Sequence, residues 1–97
     1  MTRRIELRPD AAEDLAEACD WYESEREGLG ERFLASVAEM LDDIASRPEL
    51  GPVWDTEAPT RRRVLRRFPY VVFYRFTPDA VEILAVAHAK RRPGYWK

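Results

Sequence analysis

Residues 61–76 read RRRVLRRFPYVVFYRF, a basic run that passes without a break into an aromatic and β-branched one. The second half, Tyr70 to Phe76, is apolar in both alternating phases apart from Arg75, which predicts a strand covered on both faces for part of its length. The first half carries five arginines within seven residues, and such charges repel one another unless something anionic lies against them. The stretch therefore predicts two strands of a hairpin, the first charged and the second in the core.

The chain before this hairpin predicts one strand and two helices. Residues 2–8 alternate weakly between apolar and polar side chains, as a short strand with one solvated face does. Asp10, with Glu13 three residues later, has the pattern of a helix N-cap. Apolar residues then recur every three or four positions, both before and after Gly28-Leu29-Gly30. Because the two glycines permit the positive φ angles of a tight reversal, we expect an antiparallel helical hairpin that ends before Pro48.

The rest of the chain completes a sheet. Residues 48–59 hold three prolines and show no periodicity, which predicts a loop. Residues 60–68 predict a strand with an undecided inward face and a bulge or an edge position, and residues 81–88 predict the last strand. The expected fold is α+β, with the order β-α-α-β-β-β and the helical hairpin packed on one face of an antiparallel sheet. Since 97 residues leave no room for a second domain, we expect residues 1–97 to form a single domain.

This architecture leaves one face of the sheet to be explained. The helices cover a single face, whereas the central strands are apolar on both. Either aromatic side chains such as Tyr70 and Tyr74 cover the second face, or that face binds a partner. An apolar surface rimmed by arginine is typical of an interaction site.

Composition excludes several classes of protein. An apolar share of 45% and a charged share of 35% suit a soluble globular protein, and no apolar run is long enough to cross a membrane. The N-terminus lacks the apolar stretch of a signal peptide, so we expect a cytoplasmic protein. Cys19 is the only cysteine, which excludes an internal disulfide and a zinc site made of thiolates. One histidine and one cysteine form no chelating cluster, and we expect neither a metal nor a cofactor.

Charge is divided unequally along the chain. Residues 1–59 carry 6 basic and 16 acidic side chains, while residues 60–97 carry 10 basic and 2 acidic ones. The acidic half could neutralise the basic half internally. The alternative, which we favour, is a basic surface that meets an anionic partner.

Four groups of residues, in order along almost the whole chain, form a pattern: Leu15 with Asp20-Trp21-Tyr22-Glu23, Gly28-Leu29-Gly30 with Phe33 and Val37, Arg67-Phe68-Pro69-Tyr70 with Val72 and Tyr74, and Ala87-His88-Ala89-Lys90-Arg91-Arg92-Pro93. In this pattern the chain resembles the RelE/ParE superfamily, the toxins of bacterial type II toxin-antitoxin pairs. The resemblance implies a small cytoplasmic protein that inhibits growth and stabilises plasmids. It also implies a cognate antitoxin whose C-terminal segment wraps the toxin, as a hetero-oligomer, and silences it.

Two activities occur in this superfamily. RelE-like members cut messenger RNA on the ribosome, which requires a general base, a general acid and cations around the phosphate. ParE-like members bind DNA gyrase, with no known bond-breaking step. RelE-like toxins carry an arginine just after the aromatic residue in the strand matching Tyr70–Phe76, where this chain has Val71. The resemblance therefore favours a gyrase inhibitor that is not an enzyme, with an mRNA endonuclease, or an inactive partner that only binds its antitoxin, as alternatives.

The candidate site residues follow from charge and chemistry. His88 is the natural acid or base near neutral pH, although a strand-end histidine hydrogen-bonded to a loop is the simpler interpretation. The catalytic candidates for a nuclease are His88, Arg67 and Arg91. The candidates for binding the target or the antitoxin are Arg62, Arg63, Arg66, Arg67, Arg91, Arg92, Tyr95 and Trp96, residue types that are enriched at interfaces or complement an anionic partner.

Overall fold

The computed structural model describes residues 2–56 and 59–90. Its elements are β1 (Arg4–Leu7), α1 (Pro9–Glu25), α2 (Leu29–Ser46), a 3-10 turn (Pro48–Leu50), β2 (Val53–Asp55), β3 (Thr60–Val64), β4 (Tyr70–Phe76) and β5 (Ala80–His88). The predicted α+β class and helical hairpin are confirmed. Neither helix in the described ranges is apolar over the length that a membrane crossing requires.

The five strands form one mixed sheet in the order β1-β5-β4-β3-β2. Strands β2 to β5 pair antiparallel, but β1 pairs parallel with β5, so the expectation of a wholly antiparallel sheet was wrong for this strand. The two helices carry the chain from β1 at one edge of the sheet to β2 at the opposite edge, and the chain then returns through β3 and β4 to β5. Strand β2 lies inside residues 48–59, which were predicted to be a loop. Three residues are too few to show an alternating pattern, and β2 forms only by pairing with β3.

Both helices begin without a cap from their own N-cap side chain. Helix α1 begins at Pro9, and the predicted cap by Asp10 was wrong, because Asp10 already lies in the first turn. Proline suits the first helical position, since its φ is fixed and its missing N–H would have no partner there. At α2, Gly28 has φ 85°, and it is the only described residue with a positive φ. The Glu23 carboxylate of α1 accepts the backbone N–H groups of Gly28 and Gly30, each at 3.0 Å, and thus caps α2.

The main core lies between the helical hairpin and the sheet. Tyr22 of α1 and Phe33 of α2 pack against Phe68 and Tyr70, with ring centroids between 5.0 and 6.1 Å apart. Tyr74 lies deeper in the same cluster and is completely buried. This cluster fixes the hairpin to β4, and therefore places α2 beside the loop that joins β3 to β4.

A one-residue bulge in β5 explains why its sequence is apolar in both phases. Phe73 pairs with Ala85, but the next residue, Tyr74, pairs with Ile83, so Leu84 is extra. Leu84 and Ala85 consequently both join a second cluster on the sheet face away from the helices. For residues 60–68 the sequence suggested a bulge or an edge position. Strand β3 is an interior strand, and the irregularity lies in β2, where the pairing with β3 shifts between Val53 and Asp55.

The second cluster covers the face that the sequence left unexplained. Phe73, Leu84, Ala85 and Ala87 are each at most 5% exposed, and Trp54 packs its ring 5.2 Å from that of Phe73. An aromatic side chain therefore contributes to covering this face, which was one of the two alternatives that the sequence left open. The residue is Trp54, however, and not Tyr70 or Tyr74, which belong to the main core.

Candidate functional site

The arginines of β3 point alternately to the two faces of the sheet. Arg61 and Arg63 stand opposite Tyr74 and Val72, on the side of the helices, whereas Arg62 stands opposite Phe73 on the other side. The inward face that the sequence left undecided therefore carries two arginines. Arg61 donates from Nη1 to the carbonyl oxygens of Glu49 and Gly51, at 3.0 and 2.8 Å, and so holds the chain before β2 in place.

Asp43 of α2 binds two arginines. Its Oδ1 accepts from Arg47 Nη2 at 2.6 Å, and its Oδ2 accepts from Arg63 Nη2 at 2.7 Å. The hydrogen bond from Arg47, and then the one from Arg63, lower the pKa of Asp43 from its ordinary value, against a smaller opposite effect of burial. Within the described ranges, Nη1 of Arg63 is buried and has no hydrogen-bond partner. Asp43 therefore fixes one guanidinium between helix and sheet and a second at the end of the helix.

A groove of about 920 Å³ runs between α2 and the β3–β4 loop, and we call it the α2 groove. Its arginines are Arg32, Arg47, Arg63, Arg66 and Arg67, its carboxylates are Glu39 and Asp43, and its apolar residues include Leu29, Met40, Leu65 and Phe68. Five guanidinium groups against two carboxylates give the groove a positive potential, while the apolar residues offer area to bury. Such a surface fits a segment that is both acidic and apolar.

A smaller depression of about 130 Å³ lies between α1 and the ends of β4 and β5, and we call it the α1 notch. It is lined by Asp14, Glu17, Ala18, Trp21, Tyr70, Val86 and His88. Burial, and then the neighbouring charge of Asp14, raise the pKa of Tyr70. Nδ1 of His88 accepts the backbone N–H of Lys90 at 3.1 Å, and its ring centroid lies 5.3 Å from that of Tyr70. His88 thus makes the loop hydrogen bond of the simpler interpretation.

Of the candidate catalytic residues, the structure describes His88 and Arg67, and it places them in different depressions. His88 lines the α1 notch, Arg67 lines the α2 groove, and the two depressions share no described residue. Arg63, Arg66 and Arg67 do meet in the α2 groove, whereas Arg62 is exposed on the opposite face of the sheet. Val71 packs in the second cluster. The other predicted site residues, Arg91, Arg92, Tyr95 and Trp96, lie outside the described residues.

Two contributions to these surfaces were missed by sequence reasoning. The α2 groove takes one wall from the residues Arg32, Ser36, Glu39, Asp43 and Arg47. Their spacing of three or four places them on a single side of α2, and this spacing could have revealed the wall. The notch combines Trp21 with Tyr70, Val86 and His88, which lie 49, 65 and 67 positions away along the chain, and no local pattern reveals such a combination.

No metal site accompanies either depression in the part of the chain that the structure describes, since its histidine, cysteine and carboxylate side chains form no group of three placed to hold an ion. The α2 groove presents guanidinium groups, carboxylates and apolar area. These groups are suited to binding an anionic partner.

Comparisons with known proteins identify relatives of this chain by sequence and by fold. The family model "ParE toxin of type II toxin-antitoxin system, parDE" matches residues 5–93. Toxin ParE2 of Mycobacterium tuberculosis, found in two strains, is 32% identical over 97 residues, which cover 96% of this chain and 88% of the relative. A solved structure, "Chromosomal ParDE TA system from P. aeruginosa", has the same fold, with a TM-score of 0.72 at 20% identity over 90% of this chain and 96% of that chain. The chain therefore belongs to the ParE family, the toxins of type II toxin-antitoxin systems.

Proposed function

We propose that this toxin inhibits DNA gyrase by binding it, without catalysing a reaction of its own. The observation that carries the proposal is that His88 and Arg67, the two catalytic candidates in the described ranges, line different depressions. A nuclease needs its acid or base and its phosphate-binding cations at one place, whereas His88 shares its depression with the carboxylates Asp14 and Glu17. These charges would repel an RNA backbone. Gyrase as the target rests on the resemblance to ParE-like toxins.

We further propose that a cognate antitoxin neutralises the toxin by laying an acidic and apolar segment in the α2 groove. The groove has the size of a ligand-binding cleft and combines guanidinium groups with apolar side chains that are buried or half-buried. Charge complementarity would raise the rate of association, and the apolar floor would slow dissociation. In this proposal the toxin acts in the cytoplasm, inhibits growth, stabilises plasmids and forms a hetero-oligomer with its antitoxin.

A supercoiling assay with purified gyrase tests the target. We expect the purified toxin to inhibit supercoiling in a concentration-dependent way, and expression of the toxin in cells to cause filamentation and a DNA-damage response with intact transcripts. Rapid arrest of translation with cut transcripts would instead support the mRNA endonuclease. Expression without any growth defect would contradict both and leave an inactive partner of the antitoxin.

The variant His88→Gln, expressed in cells, distinguishes toxicity by binding from toxicity by RNA cleavage. Glutamine keeps an acceptor for the Lys90 N–H but cannot act as an acid or base near neutral pH. We expect the variant to remain as toxic as the parent chain. Loss of toxicity in a variant that still folds would indicate a catalytic histidine. A chain that ends after Lys90 shows in the same assay whether residues 91–97 contribute to binding the target.

A further inference from the structure

The α1 notch has the construction of a binding site for a single cationic side chain. The rings of Trp21, Tyr70 and His88 line it together with the carboxylates of Asp14 and Glu17. Its volume of about 130 Å³ corresponds to roughly four water molecules, each with a share of about 30 Å³ in the liquid. This space fits the head of one side chain and is too small for a nucleotide or a folded segment.

Trp21 is placed for contact with a partner. It is 56% exposed, although tryptophan is usually well buried. Its ring is held edge-on against Tyr22, at a centroid distance of 5.0 Å, so the indole sits on the rigid core and not on a loop. Exposed tryptophan on a rigid element is typical of the few residues that dominate binding energy at interfaces.

The charge around the notch is unbalanced within the described residues. Helix α1 carries seven carboxylates and no basic side chain, an arrangement that opposes its own macrodipole near the C-terminus. Glu13, Glu17 and Asp20 form no ion pair with any residue in the described ranges. Asp14 and Glu17 both line the notch, and the charge of Asp14 adds to the larger effect of burial in raising the pKa of Tyr70. A cationic partner would relieve the repulsion among these carboxylates.

From the cavity, its rings and its charge we infer that the α1 notch binds an arginine side chain from a basic segment of a partner protein, at a surface separate from the α2 groove. Arginine fits better than lysine, because a planar guanidinium can stack on an indole while it donates to a carboxylate. Glu17 is the carboxylate best placed to accept, since it lines the notch and has no ion pair within the described ranges. This inference does not depend on gyrase being the target.

A phosphate group or an added β-strand fits the α1 notch less well than an arginine side chain does. Phosphate is repelled by the two carboxylates of the notch. Among residues 2–56 and 59–90, the edge of β5 beyond Ile83 pairs with no strand, since β1 ends there. Asp14 Oδ2 nevertheless accepts the Val86 N–H at 3.0 Å, and so occupies a donor that an added strand would need. An inserted side chain leaves this hydrogen bond intact.

Binding of a small arginine probe tests the inference directly. N-acetyl-arginine methylamide is added to the full-length toxin, and the indole N–H resonance of Trp21 and the ring resonances of His88 are followed by NMR. We expect saturable shifts of both residues. The citrulline analogue, which has the same shape without the charge, should bind about tenfold more weakly, because it loses both the ion pair and the cation–π contact.

Variants locate the probe and exclude other occupants. Glu17→Gln and Trp21→Ala should each weaken binding of the probe by about fivefold or more, while Asp42→Asn, which removes an exposed carboxylate from α2, should change nothing. Equal binding of the citrulline analogue, or unchanged binding to both notch variants, would overturn the inference. A gain in affinity after Arg91→Gln and Arg92→Gln would also overturn it, since the chain's own arginines would then compete for the notch.

Discussion

At the scale of the residue, charge has two separate uses within the run 61–67. Arg61 and Arg63 face the helices, where they bind backbone carbonyls and the Asp43 carboxylate. Arg66 and Arg67 are exposed at the groove. A substitution at the first pair should therefore act on folding, and one at the second pair on binding.

Asp43→Asn should alter how stability depends on pH. Since Arg47 and Arg63 hold the pKa of Asp43 below its ordinary value, this carboxylate stabilises the fold at pH above about 4 and loses its effect as the pH falls through the lowered pKa. We expect the variant to lose about 1 kcal/mol or less at pH 7, because the carboxylate is partly exposed, and to show a weaker fall in stability below pH 4.

Urea unfolding at pH 7, 5 and 3 measures both effects. Asp42→Asn is the matched control, because Asp42 is the neighbouring residue and is exposed. If the two variants show the same pH dependence, Asp43 does not have the role assigned to it.

Tyr74→Phe should destabilise the connection between α2 and β2. The Tyr74 hydroxyl donates to the Pro48 carbonyl at 2.6 Å inside the core, and its removal leaves a buried acceptor without that partner. We expect a loss of about 1 to 2 kcal/mol in the free energy of unfolding. Tyr70→Phe, which removes a hydroxyl from the same strand, should cost less than half as much. Equal losses would show that the hydrogen bond to Pro48 contributes nothing specific.

At the scale of the element, the helical hairpin depends on a close approach at Gly30. A Cβ added there would lie 2.9 Å from the Cys19 carbonyl oxygen, 3.0 Å from Glu23 Oε1 and 3.1 Å from Cys19 Sγ. Because the carbonyl oxygen belongs to the backbone of α1, the two helices would have to separate. Glu23, whose carboxylate caps α2, would have to move as well.

Gly30→Ala should therefore be destabilising, although alanine is the better helix former by about 1 kcal/mol. We expect a net loss of about 1 to 3 kcal/mol, because the steric cost exceeds the gain in propensity. Thermal unfolding followed by circular dichroism measures the change. Ala38→Gly, at an exposed position of the same helix, is the control for propensity and should cost about 1 kcal/mol. Stabilisation by Gly30→Ala would show that the hairpin packs more loosely than the structure indicates.

At the scale of the whole molecule, both depressions border the aromatic cluster that joins the helices to β4, since Phe68 lines the α2 groove and Tyr70 lines the α1 notch. The α2 groove is rich in guanidinium groups, and the α1 notch is lined by carboxylates and aromatic rings. The unequal distribution of charge along the sequence thus becomes two surfaces of different sign. One toxin molecule could bind an acidic and a basic partner at the same time.

Charge reversal in the α2 groove tests where the antitoxin binds. The double variant Arg66→Glu and Arg67→Glu should bind the cognate antitoxin at least tenfold more weakly, with a smaller dependence on salt, because two attractive charges become repulsive. Arg4→Glu is the control, since β1 lies at the other end of the sheet from β2 and β3. Isothermal titration calorimetry at two salt concentrations gives both quantities. Equal effects of the double variant and the control would place the antitoxin elsewhere.

Local patterns predicted most of the fold, but less of the site. The helices, the glycine reversal and four of the five strands followed from local sequence patterns, because each is defined by neighbours along the chain. The parallel pairing of β1, the strand β2 and the bulge at Leu84 depend on partners far away in sequence. Of the binding candidates in the described ranges, Arg63, Arg66 and Arg67 line the groove, but its α2 wall and the notch were not foreseen.

The sequence by itself determined the α+β class, the helical hairpin, the family and the basic character of the stretch 61–76, since these reside in local spacing and in motif order. Only the tertiary structure decided which arginines bind groups within the fold and which stay exposed at the groove. Alternation along β3 turns Arg61 and Arg63 toward the helices, whereas Arg66 and Arg67 lie beyond the end of β3. It also decided that His88 and Arg67 line different depressions. Residues distant along the chain share a cavity only when packing brings their elements together, and here packing put a histidine beside carboxylates and an arginine beside arginines.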